Sequence, residues 1–242
     1  MKRRTKLILS ICAAAIIALA TIVIGITRSE SEKYSPVIDP ANFVTVVDNP
    51  YFPLTPGTLY VYEGVSADGN EHNEVNVTSE TKTILSVTCV VVKDTVLLNG
   101  ELAEATLDWY AQDKDGNVWY FGEDSKEYSG GAVVSTEGSW EAGVDGAQPG
   151  IVMKAPPAIG DKYRQEYYKG QAEDMAQVLA LNTSANVTYG SFANCLETKE
   201  WTPIECGVVE NKYYSPGIGV VLEQMVKGGA DRMQLVQIIT TP

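Results

Sequence analysis

Asp108, Tyr110 and Tyr120 alternate along two aromatic runs that flank Asp113-Lys114-Asp115-Gly116, so a hairpin at that point sets one carboxylate and two phenols on one face. Phenols carry an apolar ring and a polar tip, which suits a partly wet ligand groove. Arg164 and Tyr168, on the extended stretch 162–168, would complete such a site, with Arg164 as an anchor or an ion-pair partner in an acidic chain. The competing reading is an ordinary solvent-facing sheet decorated with tyrosines. Hydrolytic chemistry has less to build on. His72 stands between Asn70-Glu71 and Asn73 beside a turn, and no Gly-x-Ser-x-Gly accompanies it. Carboxylate neighbours such as Glu123 and Asp124 could do acid and base work, but composition alone produces such pairs here. Asp113-x-Asp115-x-Asn117 imitates the start of a calcium loop, yet glycine stands fourth instead of sixth, and a tight turn accounts for it better. No metal and no cofactor is therefore expected. The reading is a non-enzymatic binding or envelope protein for a small apolar or sugar ligand; the alternative from a different class is an extracellular hydrolase.

The elements that must position these residues are strands. Closing the turn between Asp113 and Asn117 pairs Ala111 with Trp119, Tyr110 with Tyr120 and Trp109 with Phe121. Leu107, Trp109, Trp119 and Phe121 then form the expected core face. Asn99-Gly100 favours a type I′ turn joining strands 87–98 and 101–111. Counting outward from it sets Val92 against Leu107, Val90 against Trp109, and Cys89 on the Tyr110 face. The same count puts Asp94 on the core face, which argues for a bulge on the way. Further strands are expected at 58–65, 73–78, 132–140, 185–189, 193–202, 208–214, 219–226 and 232–239. The Pro-rich stretch 47–57 cannot be helical and should pack its aromatics on the domain. Residues 141–160 form the longest irregular stretch. Only 171–181 carries a helical period, through Ala172, Met175, Val178 and Leu179. The fold class is mainly β: one domain, 43–242, with a curved, half-barrel-like antiparallel sheet and one short helix.

Residues 1–27 differ from the rest. Lys2, Arg3, Arg4 and Lys6 precede 21 uncharged, mostly apolar residues, 7–27, about the length that crosses a bilayer. They read as a signal anchor, or as a signal peptide cut near Ala18-Leu19-Ala20. Residues 28–42 follow as a polar tether. The domain is thus expected outside the cytoplasm, membrane-held if the segment is uncut and secreted otherwise. A net charge of −13 spread along the chain argues against nucleic acid as a partner. Export makes one disulfide possible among Cys89, Cys195 and Cys206, with one thiol left over. A turn at 202–205 sets Trp201 against Cys206, which separates Cys206 from Cys195.

The segments TKTILSVTCVVVKDTV, DWYAQDKDGNVWYFGEDSKEY, VSTEGSWEAGVDGAQPGIVM, DKYRQEYYKGQAEDMAQVL and ENKYYSPGIGVVLE resemble a family of exported, uncharacterised bacterial and archaeal proteins. The likeness runs from Val47 to the C-terminus and carries no assigned activity. KYYSPGIGVVLEQ also resembles the closing hairpin of proteins related to lipoprotein carriers, which implies a curved sheet sheltering an apolar ligand. The family likeness implies a Cys89–Cys195 disulfide, with Cys206 as a local addition where relatives would carry proline.

Overall fold

The structure is a computed structural model that describes residues 34–241. The expected membrane segment at 1–27 and the first part of the tether lie outside the described residues. In chain order the strands are β1 (Phe43–Val44), β2 (Thr58–Ser66), β3 (Gly69–Ile84), β4 (Val87–Leu98), β5 (Glu101–Asp113), β6 (Val118–Ser129), β7 (Ala132–Ser135) and β8 (Trp140–Glu141). They continue with β9 (Gln148–Met153), β10 (Lys162–Arg164), β11 (Glu166–Tyr167), β12 (Met175–Val187), β13 (Gly190–Trp201), β14 (Val209–Ser215), β15 (Gly219–Lys227) and β16 (Arg232–Thr240). All pairs are antiparallel, and the sheet runs β10-β12-β13-β14-β15-β16-β2-β3-β4-β5-β6-β9-β11.

The two ends of that path are consecutive in the chain. Residues 162–167 pair through Tyr163 with Ala176 of β12 and through Glu166 with Pro149 of β9. This strap draws the sheet into a nearly closed, barrel-like cylinder, more complete than the expected half-barrel. Closure removes open edges, which would otherwise carry unpaired backbone groups. Gly150 lies directly under the strap: a Cβ there would run into the Gln165 carbonyl.

Local chemistry explains the hairpins. Asp113 Oδ1 accepts from Asn117 N at 2.9 Å, and Oδ2 accepts from Asn117 Nδ2 and Trp119 Nε1 at 2.9 and 2.8 Å. The Asp113 carboxylate's partners thus belong to the turn and to the strand it leads into, in keeping with the hairpin reading. Asn99 and Gly100 take φ of 52° and 84°, the left-handed pair of a type I′ turn. The Pro-rich lead-in packs across one end of the barrel. Gln112 Oε1 accepts from the amides of Asp48 and Asn49, and Leu54 N bonds back to Val47 O, burying Val47, Phe52 and Leu54.

Bulges decide which face is inside. Ala103 has no partner in the ladder between Val96↔Glu104 and Leu97↔Leu102, so Val92 pairs with Asp108, and Val90 with Tyr110 instead of Trp109. A second shift follows Tyr110↔Tyr120, so Trp109 pairs with Gly122 instead of Phe121. The interior therefore holds Asp108, Tyr110 and Tyr120. The face expected to be core is turned away from them, and of its residues Trp109 and Phe121 are buried at 6% and 0% exposure, Trp109 under the Lys82 ammonium 3.3 Å from its ring centroid and Phe121 against Phe43, while Leu107 is 36% exposed. Cys89 follows Trp109 outward, not Tyr110 inward.

The expected helix at 171–181 is strand β12 in the structure. Among the described residues the only helix is the 3-10 turn Pro40–Asn42. Residues 175–181 lie in β12, while Ala172 bridges Tyr168 ahead of it, so the apparent helical stripe joins a turn residue to a strand. The Cys89–Cys195 bond is absent: both thiols are free and buried, and Cys206 is free and exposed. β4 and β13 are separated by five strands along the sheet, and strands stand about 4.8 Å apart, beyond disulfide reach.

Candidate functional site

The barrel interior has two layers, an apolar chamber at the end covered by the Pro-rich lead-in and a polar layer deeper inside. The chamber has a cavity volume of about 60 Å³ and opens to solvent. Phe52, Pro53 and Leu54 form its roof, the β14–β15 turn at Ile218 and Gly219 its lip, and Tyr60, Val75 and Met233 its wall. Along the strap Tyr163 is buried and Arg164 is turned to the opposite face, and Gln165, between the two short strands, lines the chamber.

At its polar end stand Lys212, Glu223, Tyr214 and Gln165. Lys212 Nζ lies 3.1 Å from Glu200 Oε2 and 3.5 Å from Glu223 Oε1. Tyr214 donates to Glu200 Oε1 at 2.9 Å, and Thr198 donates to the same oxygen at 2.7 Å. Burial alone would lower the Lys212 pKa, but the carboxylates of Glu200, Glu223 and Glu210 outweigh it and hold the ammonium protonated. Burial raises the pKa values of Glu210 and Glu223, and their shared hydrogen bond places the proton on Glu210. Tyr62 is committed to Val220 O at 3.1 Å. Gln165 lines this end as well, and Tyr163, near Glu200 and Tyr214, has a buried hydroxyl with no hydrogen-bond partner among the described residues.

Behind the roof lies the second layer. Tyr110 stacks on Tyr120 at 4.8 Å between ring centroids and meets Phe52 at 5.3 Å. Tyr120 donates to Asp108 Oδ1 at 2.6 Å, Asn73 to Asp94, and Trp140 to Glu166 Oε2 at 3.0 Å. Burial first, and neighbouring carboxylates second, hold Asp94, Asp108 and Glu166 well above the usual carboxylate range. The half-buried Asp174 is pushed up to about 7 by burial.

The structure thus brings Asp108, Tyr110 and Tyr120 together, at 1%, 0% and 2% exposure, neither in a wet groove nor on a solvent face. It separates Arg164 and Tyr168 from them. Arg164 lies outside the strap between the Tyr34 and Tyr167 rings, 3.7 Å from Glu173, and Tyr168 packs against the core past the strap. His72 sits between Glu63 and Glu74 at 3.4 Å from each. Among the described residues no group of His, Cys, Asp or Glu is arranged to hold a metal ion. Gln165, Lys212 and Glu223 went unread in the sequence. The signal was there in Glu210-x-Lys212-x-Tyr214, a polar stripe at strand spacing, but only the closed barrel turns that stripe inward.

Fold and site together define a nearly closed antiparallel barrel with an apolar end chamber. Two solved structures are similar to this chain. One is a protein from Bacteroides fragilis classed as exported, with a YmcC-like fold: 18% identity, TM-score 0.48, covering 78% of this chain and 99% of that one. The other is a protein from Parabacteroides distasonis classed as a lipoprotein: 14% identity, TM-score 0.44, covering 79% and 99%. No family model and no curated protein matches the sequence.

Proposed function

We propose that this chain is a non-enzymatic, extracytoplasmic binding protein that shelters a small, mainly apolar ligand in the end chamber. The chamber carries the reading: walls of aromatic and aliphatic side chains, with the polar groups gathered at one end, are the usual composition of a ligand site. Such walls favour an apolar ligand over a sugar. Asp108, Tyr110 and Tyr120 support the site from behind, because Tyr110 backs the Phe52 ring of the roof. The location rests on the basic start and apolar run of residues 1–27, which also supply the membrane attachment when uncut.

Native mass spectrometry of the purified chain tests this reading. A co-purifying small molecule, lost when the chamber is filled by Met233→Trp in a variant that retains its β circular dichroism, is the expected result. Catalytic turnover of a panel of ester, glycoside and peptide substrates would reverse it in favour of a hydrolase.

A further inference from the structure

We infer that the outer wall of the barrel at Lys162, Gln177 and Lys199 binds an anionic glycan, a hydroxylated polymer bearing carboxylates or phosphates. Strand registers place the three in one row: Lys162 pairs with Gln177 across β10 and β12, and Gln177 with Lys199 across β12 and β13. Tyr163, Ala176, Val178, Thr198 and Glu200 beside them are buried, so alternation turns the row outward. It continues through Asn211 on β14. Both ammoniums lean on one indole: Lys162 Nζ and Lys199 Nζ each stand 4.9 Å from the Trp201 ring centroid, which keeps them within twice that distance of each other.

What these lysines lack is a counter-ion. The chain has 31 Asp and Glu against 18 Lys and Arg, so a lysine that finds no carboxylate runs against composition. The acidic residues beside them in the chain are committed elsewhere: Asp161 lies 3.2 Å from Lys154, Glu200 turns inward to Lys212, and Glu197 accepts from Asn211 and Tyr213. Among the described residues neither Lys162 nor Lys199 forms an ion pair with a carboxylate. An indole steadies ammoniums through its ring face but leaves their charge uncancelled. Two like charges held on one ring suit an external anion, and the Gln177 amide between them, both donor and acceptor, suits a hydroxyl. Shape selects the polymer over an anionic bilayer. The row crosses strands and therefore runs around a convex wall, which a flat membrane touches along one line and a flexible chain can follow.

The test measures binding of an oligogalacturonate, a poly(glycerol phosphate) and a neutral dextran to the full chain in nanodiscs of zwitterionic lipid. At least one anionic probe is expected to bind, at least tenfold more tightly than dextran, and to weaken several-fold as salt rises from about 50 mM to about 500 mM. Lys162→Gln with Lys199→Gln should weaken that probe at least tenfold, while Lys162→Arg with Lys199→Arg should retain it. Lys93→Gln with Lys114→Gln, at exposed lysines elsewhere on the barrel, should leave it unchanged. Equal binding of dextran, an equal loss in the Lys93 and Lys114 variant, an undiminished Lys162 and Lys199 glutamine variant, or no binding of either anionic probe overturns the inference. Capture by phosphatidylserine vesicles in place of both glycan probes, lost in the Lys162 and Lys199 glutamine variant, also overturns it and assigns the wall to a membrane surface.

Discussion

Lys212→Met isolates the charge balance on which the polar end of the chamber depends. The ammonium stands 3.1 Å from Glu200 Oε2 and 3.5 Å from Glu223 Oε1, with all three side chains at least 91% buried by exposures of 9%, 8% and 2%. At an effective dielectric of about 20, each pair is attractive by about 5 kcal/mol, partly offset by the desolvation of the lysine. Removing the cation leaves carboxylates uncompensated inside the barrel, a change that destabilises by about 3–5 kcal/mol. Methionine keeps the volume of the stem, so little of the loss comes from a cavity. The deficit should shrink as pH falls, because the orphaned carboxylates shed their charge by taking up protons, each contributing up to about 1.4 kcal/mol per pH unit. Urea unfolding followed by tryptophan fluorescence at about pH 8 and about pH 5 measures both quantities, on either side of the orphaned groups' expected titration. Replacing Lys212, Glu200 and Glu223 together by Met, Gln and Gln should return most of the lost stability. A loss below about 1 kcal/mol at the higher pH, or one that grows toward acid, would refute the account of Lys212 as the buried counter-ion.

Three further outcomes follow from the interior and the seam. Asp94, Asp108, Glu166, Glu210 and Asp174 all have raised pKa values in the fold, so their contribution is full below the unfolded carboxylate range, about 4, and is lost as pH rises through the folded values, about 7 for Asp174. Unfolding free energy should therefore fall from about pH 5 to about pH 7.5, and Asp174→Asn should flatten the upper part of that slope; a rise across the window contradicts the buried acidic layer. Gly150→Ala should cost about 1–3 kcal/mol and speed amide exchange at Glu166, because its Cβ meets the backbone of Gln165; Gly130→Ala, where nothing lies within 4 Å, should cost only the strain of φ +60° and leave the seam closed. Among Cys89, Cys195 and Cys206, a thiol reagent should modify only Cys206 in the native protein, with Cys89, pushed up to about 12 by burial, reacting after unfolding; recovery of a Cys89–Cys195 peptide would contradict the separation of β4 and β13.

The sequence by itself determined the hairpin turns and the strands they join, though not β9 or β12, because turn chemistry is local. Asn99-Gly100 and Asp113 to Asn117 closed where their residue types required, and Ala111, Tyr110 and Gln112 paired as the turn dictated. The grouping of Asp108, Tyr110 and Tyr120 on one face was legible for the same reason. Whether that face is inside was not. The bulges at Ala103 and after Tyr110↔Tyr120 carry no fixed residue signature, and each moves the facing partner by one position. The helical spacing of Ala172, Met175 and Val178 likewise spans two pieces of structure, because Ala172 bridges Tyr168 before β12 begins at Met175, and only the pairing with β13 makes the rest a strand. The site depends on closure above all. The strap 162–167 bonds to β12 on one side and to β9 on the other, bringing Gln165 beside Lys212, 47 positions onward in the chain. Contacts that distant are set by the tertiary cylinder, which turns a polar stripe that would face water in an open sheet into the floor of a chamber.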